Sequence, residues 1–228
     1  MDINLHYIEE GIGTPLLLLH GNGEDGTYFK HQLAYFSKKY RVIAVDTRGH
    51  GQSPRGAAPF TISQFAEDLN AFLEQRDISK AVILGFSDGA NIAMRFAMKH
   101  PEKVEALILN GGNLNARGVK ASVQIPIELG YRMTKLFSRI SEKARKNHEM
   151  LALMVDDPNI EPSELKEIHV PTLVIAGTED MIKEEHTKLL AAEIPGAELK
   201  FVKGGHFVAA KASEEFNAAV DLFLERVL

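Results

Sequence analysis

Short uninterrupted apolar runs recur along this chain, and between them apolar positions return every third or fourth residue. Leu16-Leu17-Leu18-Leu19, Arg41 to Val45, Ala81 to Gly85, Val104 to Leu109, Val170 to Ala176 and Glu198 to Val202 have the length and composition of strands. A run with no polar alternation suits a strand covered on both faces. Leu5 to Ile8 reads as a short edge strand. Helical spacing appears at Phe29, Leu33 and Phe36 within Tyr28 to Lys38. It returns at Ile62, Phe65, Leu69, Phe72 and Leu73 within Ile62 to Gln75. Further helices are predicted after Ser87, near Glu184 to Ile194, and from Ser213 to Val227.

Strands alternating with helices imply a mostly parallel, twisted sheet with helices on both faces, an α/β fold. In such sheets chemistry gathers beyond the carboxyl ends of the strands. His20, Asp46, Ser87, Asn110 and Gly177 all follow strand ends, so they are expected on one edge. The alternation breaks between Asn113 and Ile168. There Met133, Leu136, Phe137, Ile140 and Ala144 fit one helical face, and Met150, Leu151 and Met154 suggest a second, short helix. Pro158 and Pro162 interrupt, and Ser163 to Ile168 suggests a further helical turn. We expect a core of residues 1–112 and 169–228, with residues 113–168 inserted as a helical cap over the active edge.

Composition narrows the options. The 228 residues are 45% hydrophobic and 25% charged, which is ordinary for a globular domain. A formal net charge of −5 argues against nucleic acid or an anionic membrane as the main partner. A small-molecule substrate is the expected partner, and oligomeric state is left open. With no cysteine there is no disulfide and no thiol chemistry. Met1 to His6 lacks the basic and apolar regions of a signal peptide, and no apolar stretch reaches the ~20 residues of a membrane span, so a cytoplasmic address is expected.

Gly85-Phe86-Ser87-Asp88-Gly89 stands between an apolar strand and a helix. A serine on so sharp a turn is pushed out of the backbone, and glycines two residues away on either side relieve the crowding. A serine hydroxyl is a poor nucleophile at neutral pH; it needs a base, and the base needs an orienting group. Candidate bases are His20, His50 and His206, and candidate acids are Asp46, Glu179 and Asp180. On a strand–turn–helix elbow the chain order is serine, acid, histidine. Only His206, in Gly204-Gly205-His206, lies downstream of a suitable acid. Asp180 follows the strand ending at Ala176, with Glu179 as the alternative. His20 and His50 are expected to hold loops, and Arg48 to pair with a carboxylate. Asp88, in the first turn of a helix, complements the helix dipole; attraction of a cationic substrate group is its second reading.

On these residues the chain resembles the α/β-hydrolase superfamily over nearly all its length. The signatures are His20-Gly21 after a strand, Asp46-x-Arg48-Gly49-His50-Gly51-x-Ser53, the Ser87 elbow, and Pro171-Thr172-Leu173-Val174-Ile175-x-Gly177-x-x-Asp180 leading to Gly205-His206. The resemblance implies Ser87 as nucleophile, Asp180 as acid and His206 as base. Some members place the acid after the preceding strand, where this chain has Asn110-Gly111-Gly112-Asn113 and no carboxylate. The oxyanion hole is expected from the backbone N–H groups of Asn22 and Asp88. Met133, Phe137, Met150 and Met154 are candidates for an acyl-binding lining. The implied activity is ester or related acyl hydrolysis without metal or cofactor. Aminopeptidase, C–C hydrolase, thioesterase and perhydrolase activities reuse the same site. A non-catalytic binding protein or scaffold is the rival from another class.

Overall fold

A computed structural model describes residues 2–228. Seven strands form one sheet in the order β1-β3-β2-β4-β5-β6-β7. They are β1 (Tyr7–Glu10), β2 (Pro15–Leu19), β3 (Arg41–Val45), β4 (Ala81–Phe86), β5 (Val104–Asn110), β6 (Thr172–Gly177) and β7 (Glu198–Val202). Only β1 is antiparallel, pairing Tyr7 with Val45; every other neighbour is parallel. The predicted first strand lies two residues later than expected. An edge strand buries one side only, and its weak alternation gives little hold on register.

The apolar runs divide between the two faces as a period of two requires. Leu17, Leu19, Ile43 and Val45 point to one side and meet α2 (Ile62–Gln75), α3 (Asp88–Lys99) and α6 (Glu184–Glu193). Leu16, Leu18, Val42 and Ala44 point to the other and meet α1 (Lys30–Phe36), α7 (Val208–Lys211) and α8 (Ser213–Val227). Both faces are thus roofed, which explains why Leu16 to Leu19 carries no polar residue. The predicted limits of α2 and α8 coincide with the observed ones.

Between β5 and β6 run α4 (Ala121–Phe137), α5 (Glu142–Val155) and a 3-10 turn at Pro162–Glu167. Here the periodicity misled in one respect. The face through Met133, Phe137, Ile140 and Ala144 is split by Ser141, whose hydroxyl caps α5 by accepting the Ala144 N–H at 3.3 Å. Helix spacing alone does not register such a break, because the serine falls between apolar positions. Moreover, Met133, Leu136, Phe137 and Ile140 face solvent rather than the core. Among the described residues, no helix is long and apolar enough to cross a membrane.

Candidate active site

The turn from β4 into α3 holds Ser87 at φ 54°, ψ −118°, a conformation that costs a non-glycine residue about 1–3 kcal/mol. The two flanking glycines are sterically required. A Cβ on Gly85 would run into the Gly89 backbone, and one on Gly89 into the Leu19 carbonyl of β2. The Ser87 N–H donates to the Asn110 carbonyl at 2.8 Å, tying the elbow to β5. Ser87 Oγ is therefore lifted off the sheet, and α3 begins directly behind it.

Two further strand ends deliver the rest. Asp180 follows β6, and His206 lies in the loop after β7. Asp180 Oδ1 lies 2.7 Å from His206 Nδ1, and His206 Nε2 lies 3.1 Å from Ser87 Oγ. The Ile182 N–H holds Asp180 Oδ1 at 2.9 Å, and the Gly177 N–H approaches Oδ2 at 3.4 Å. These bonds orient the carboxylate, and the carboxylate orients the imidazole. Gly111, at φ 63°, lies alongside, where any Cβ would strike His206. Glu179, the alternative acid, is exposed, and its N–H is bound to Gly204.

The loop after β2 closes the other side. Gly21 comes so near that a Cβ there would sit 3.1 Å from Ser87 Cβ. The loop is held by His20, whose Nδ1–H donates to the Gly21 carbonyl at 2.8 Å while Nε2 accepts the Thr47 N–H at 3.0 Å. Burial lowers the pKa of this imidazole. His50 is held by the Arg48 carbonyl and the Thr47 hydroxyl, and burial, with His20 nearby, depresses its pKa to about 4. Arg48 is wholly buried and makes a two-pronged pair with Asp68 at 2.6 and 2.7 Å, completed by Asp2. Asp46 binds the Gly26 and Gln52 N–H groups and His6. All four hold loops beside the site.

Asn22 and Asp88 flank Ser87, and among the described residues neither backbone N–H donates to a protein acceptor. The Asn22 side chain donates to the Met150 carbonyl of α5 at 2.8 Å. Arg55 clasps Glu149 on the same helix at 3.0 and 3.1 Å. The structure thus brings Met150 against the loop of Asn22 and leaves Met154 half-buried along α5. Met133 and Phe137 lie elsewhere, about half exposed in a groove between α4 and α5. The four residues do not form one lining: Met133 and Phe137 open onto that half-exposed groove, whereas Met150 lies against the Asn22 loop.

Several neighbours carry no mark in the sequence. Tyr28 stacks on Phe86 with centroids 4.5 Å apart, and its buried hydroxyl has no partner. Glu24 accepts the Gly21 N–H at 3.2 Å, and burial raises its pKa. Its place four residues after His20, in the same loop, was the available signal. The Arg55–Glu149 clasp spans 94 positions and offered none.

Asp88 departs most from expectation. The α3 dipole favours its anion, but burial outweighs that and raises its pKa from 3.8 to about 7; Asn22 pulls it back in part. Its Oδ2 is buried without a partner. In the unfolded chain the proton leaves first, so folding loses stability as pH climbs from about 4 to 7 and stays lower above that. Asp88→Asn keeps an acceptor for Asn22 and removes the charge. It is expected to be more stable than the parent near pH 8 by up to about 4 kcal/mol, with the gap closing toward pH 4. Urea unfolding across that range measures it, and a gap independent of pH would refute burial as the cause.

Comparison with known proteins agrees with this architecture. The chain is 35% identical over 119 residues to an uncharacterized protein of Mycobacterium tuberculosis, covering 52% of this chain and 34% of that protein. The chain therefore spans about a third of the length of that relative. It is 25% identical over 253 residues to 3-oxoadipate enol-lactonase 2 of Acinetobacter baylyi, covering 99% of this chain and 94% of that enzyme. The crystal structure of the enol-lactonase from Burkholderia xenovorans LB400 superposes with a TM-score of 0.82 at 23% identity, covering 98% of this chain and 97% of that one. The enzymes among these relatives are hydrolases. A family model of the alpha/beta hydrolase fold matches residues 14–128, which hold β2, the Ser87 elbow and β5, and this chain belongs to that family.

Proposed function

We propose that the protein is a serine hydrolase of carboxylic esters, with lactones, which are cyclic esters, as the nearest substrate class. The unbroken line Asp180–His206–Ser87, with steps of 2.7 and 3.1 Å at a strained elbow, carries this reading. The lactonase names of two relatives support the substrate class. Residues 113–168 serve as the cap, held down on the site side through Asn22–Met150 and Arg55–Glu149.

His206 Nε2 takes the Ser87 proton as Oγ attacks the carbonyl carbon. The oxyanion is held by the Asn22 and Asp88 N–H groups, and α3 adds its positive end. His206 then gives its proton to the leaving alkoxide, and an acyl-serine remains. Water, deprotonated by His206, attacks the acyl carbon; the acid leaves and the serine proton is restored.

A fluorophosphonate probe should label Ser87, and p-nitrophenyl acetate or a simple lactone should turn over continuously. Absence of both labelling and turnover would remove the reading. The mechanism needs His206 Nε2 free to accept the Ser87 proton, so the rate is expected to fall in acid. Asp88, whose pKa burial raises to about 7, also takes up a proton toward acid, so the profile is to be run in Asp88→Asn as well. Survival of the acid limb in that variant assigns it to His206, and its loss would assign it to Asp88.

A further inference from the structure

α4 turns a continuous apolar strip to solvent. Ile125, Leu129 and Leu136, with Ile140 in the turn that follows, are 64, 60, 76 and 81% exposed. Spacings of three and four residues place them on one side of the helix, and Met133 and Phe137 extend the same side. The other side packs on α5: Gln124 reaches the Met154 carbonyl, Tyr131 stacks on His148, and the Tyr131 hydroxyl donates to Asp156. The strip ends in a groove of about 460 Å³ lined by Met133, Phe137, Ile140 and Ala144. Uncovered apolar strips of this extent mark interaction surfaces.

Charge identifies the occupant. Between Arg117 and Lys146, eight Lys and Arg stand against two Glu, a local +6 in a chain of net −5. Arg132, Lys135 and Arg139 border the strip, and Lys143 and Arg145 continue from α5. Among the described residues none of these five enters an ion pair; Lys146 pairs with Glu142. Two copies meeting strip to strip would bring these cations together, which opposes symmetric pairing. A surface that offers hydrocarbon beneath a layer of negative charge satisfies both features at once.

We propose that this face of α4 docks on the surface of an anionic lipid bilayer, with the helix in the plane of the interface. Seventeen residues give a contact about 25 Å long. The whole-chain charge of −5 points away from such a partner only because it averages the basic stretch 117–146 with an acidic remainder. The proposal does not depend on the catalytic reading. If both hold, α5 separates the bilayer from Ser87 by one helix layer, and amphiphilic esters are delivered to the side where the cap is held.

The test is co-sedimentation of the full chain with vesicles of phosphatidylglycerol and phosphatidylcholine in equal parts, against phosphatidylcholine alone. Binding is expected to the first, to be much weaker on the second, and to fall with added salt. Each border cation is worth about fivefold near the surface, so Arg132→Gln/Lys135→Gln/Arg139→Gln should weaken binding on the order of 100-fold. Leu136→Asp/Ile140→Asp should abolish it with the cations still present. Lys135→Gln alone, with about a fivefold loss, covers the case in which a multiple variant fails to fold. No binding to anionic vesicles, or equal binding by parent and variants, would overturn the proposal. So would self-association of the parent that Leu136→Asp/Ile140→Asp breaks, since that would assign the strip to a second copy.

Discussion

Ser87→Ala is expected to lower kcat/KM for p-nitrophenyl acetate by on the order of 10⁴- to 10⁶-fold while the protein stays folded. Among the described residues the hydroxyl hydrogen-bonds only to His206, so stability should change by no more than about 0.5 kcal/mol. Residual turnover would come from the backbone donors, which the substitution leaves in place. Ser87→Gly should be equally inactive but about 1 kcal/mol more stable than Ser87→Ala, because glycine accepts φ 54° without strain. That difference separates the elbow's backbone from the chemistry it presents. Activity in Ser87→Ala within tenfold of the parent would end the nucleophile assignment.

Asp180→Asn should cost about 10³- to 10⁴-fold in kcat with little change in KM. The carboxylate sits 2.7 Å from His206 Nδ1. Under the catalytic reading it would fix the tautomer that leaves Nε2 free to accept the Ser87 proton, and its charge would steady the imidazolium formed in each half-reaction. The amide supplies no charge, and in one orientation its NH₂ forces the wrong tautomer on His206. Asp180 is buried beside the Ile182 N–H, so unfolding must be monitored alongside. A loss below about tenfold in a folded variant would move the orienting role to another group. Fluorophosphonate labelling should slow in parallel, because it draws on the same activated hydroxyl.

Much of this was legible because the features are local. Leu16 to Leu19 and Arg41 to Val45 declare strands through composition alone, and chain order then puts Ser87, Asp180 and His206 on one edge. Asp180 could be preferred to Glu179 on motif; in the structure Asp180 lies buried beside His206 while Glu179 is exposed. Distant partners were not legible. Nothing near Arg55 signals Glu149, and nothing in Asp88 announces that burial would defeat the helix dipole. α4 shows the opposite failure. Its apolar period is real, but periodicity does not say whether a partner is present, so Met133 and Phe137 read as lining when they face outward.

The hydrogen bond from the Asn22 side chain to the Met150 carbonyl bears on selectivity. Under the catalytic reading, a bulky acyl group can enter only if α5 lifts, and lifting releases the very loop that steadies the oxyanion. Large substrates would then bind acceptably yet react sluggishly. Size discrimination would be written in turnover rather than affinity, and loosening the roof would broaden access while blunting the catalyst.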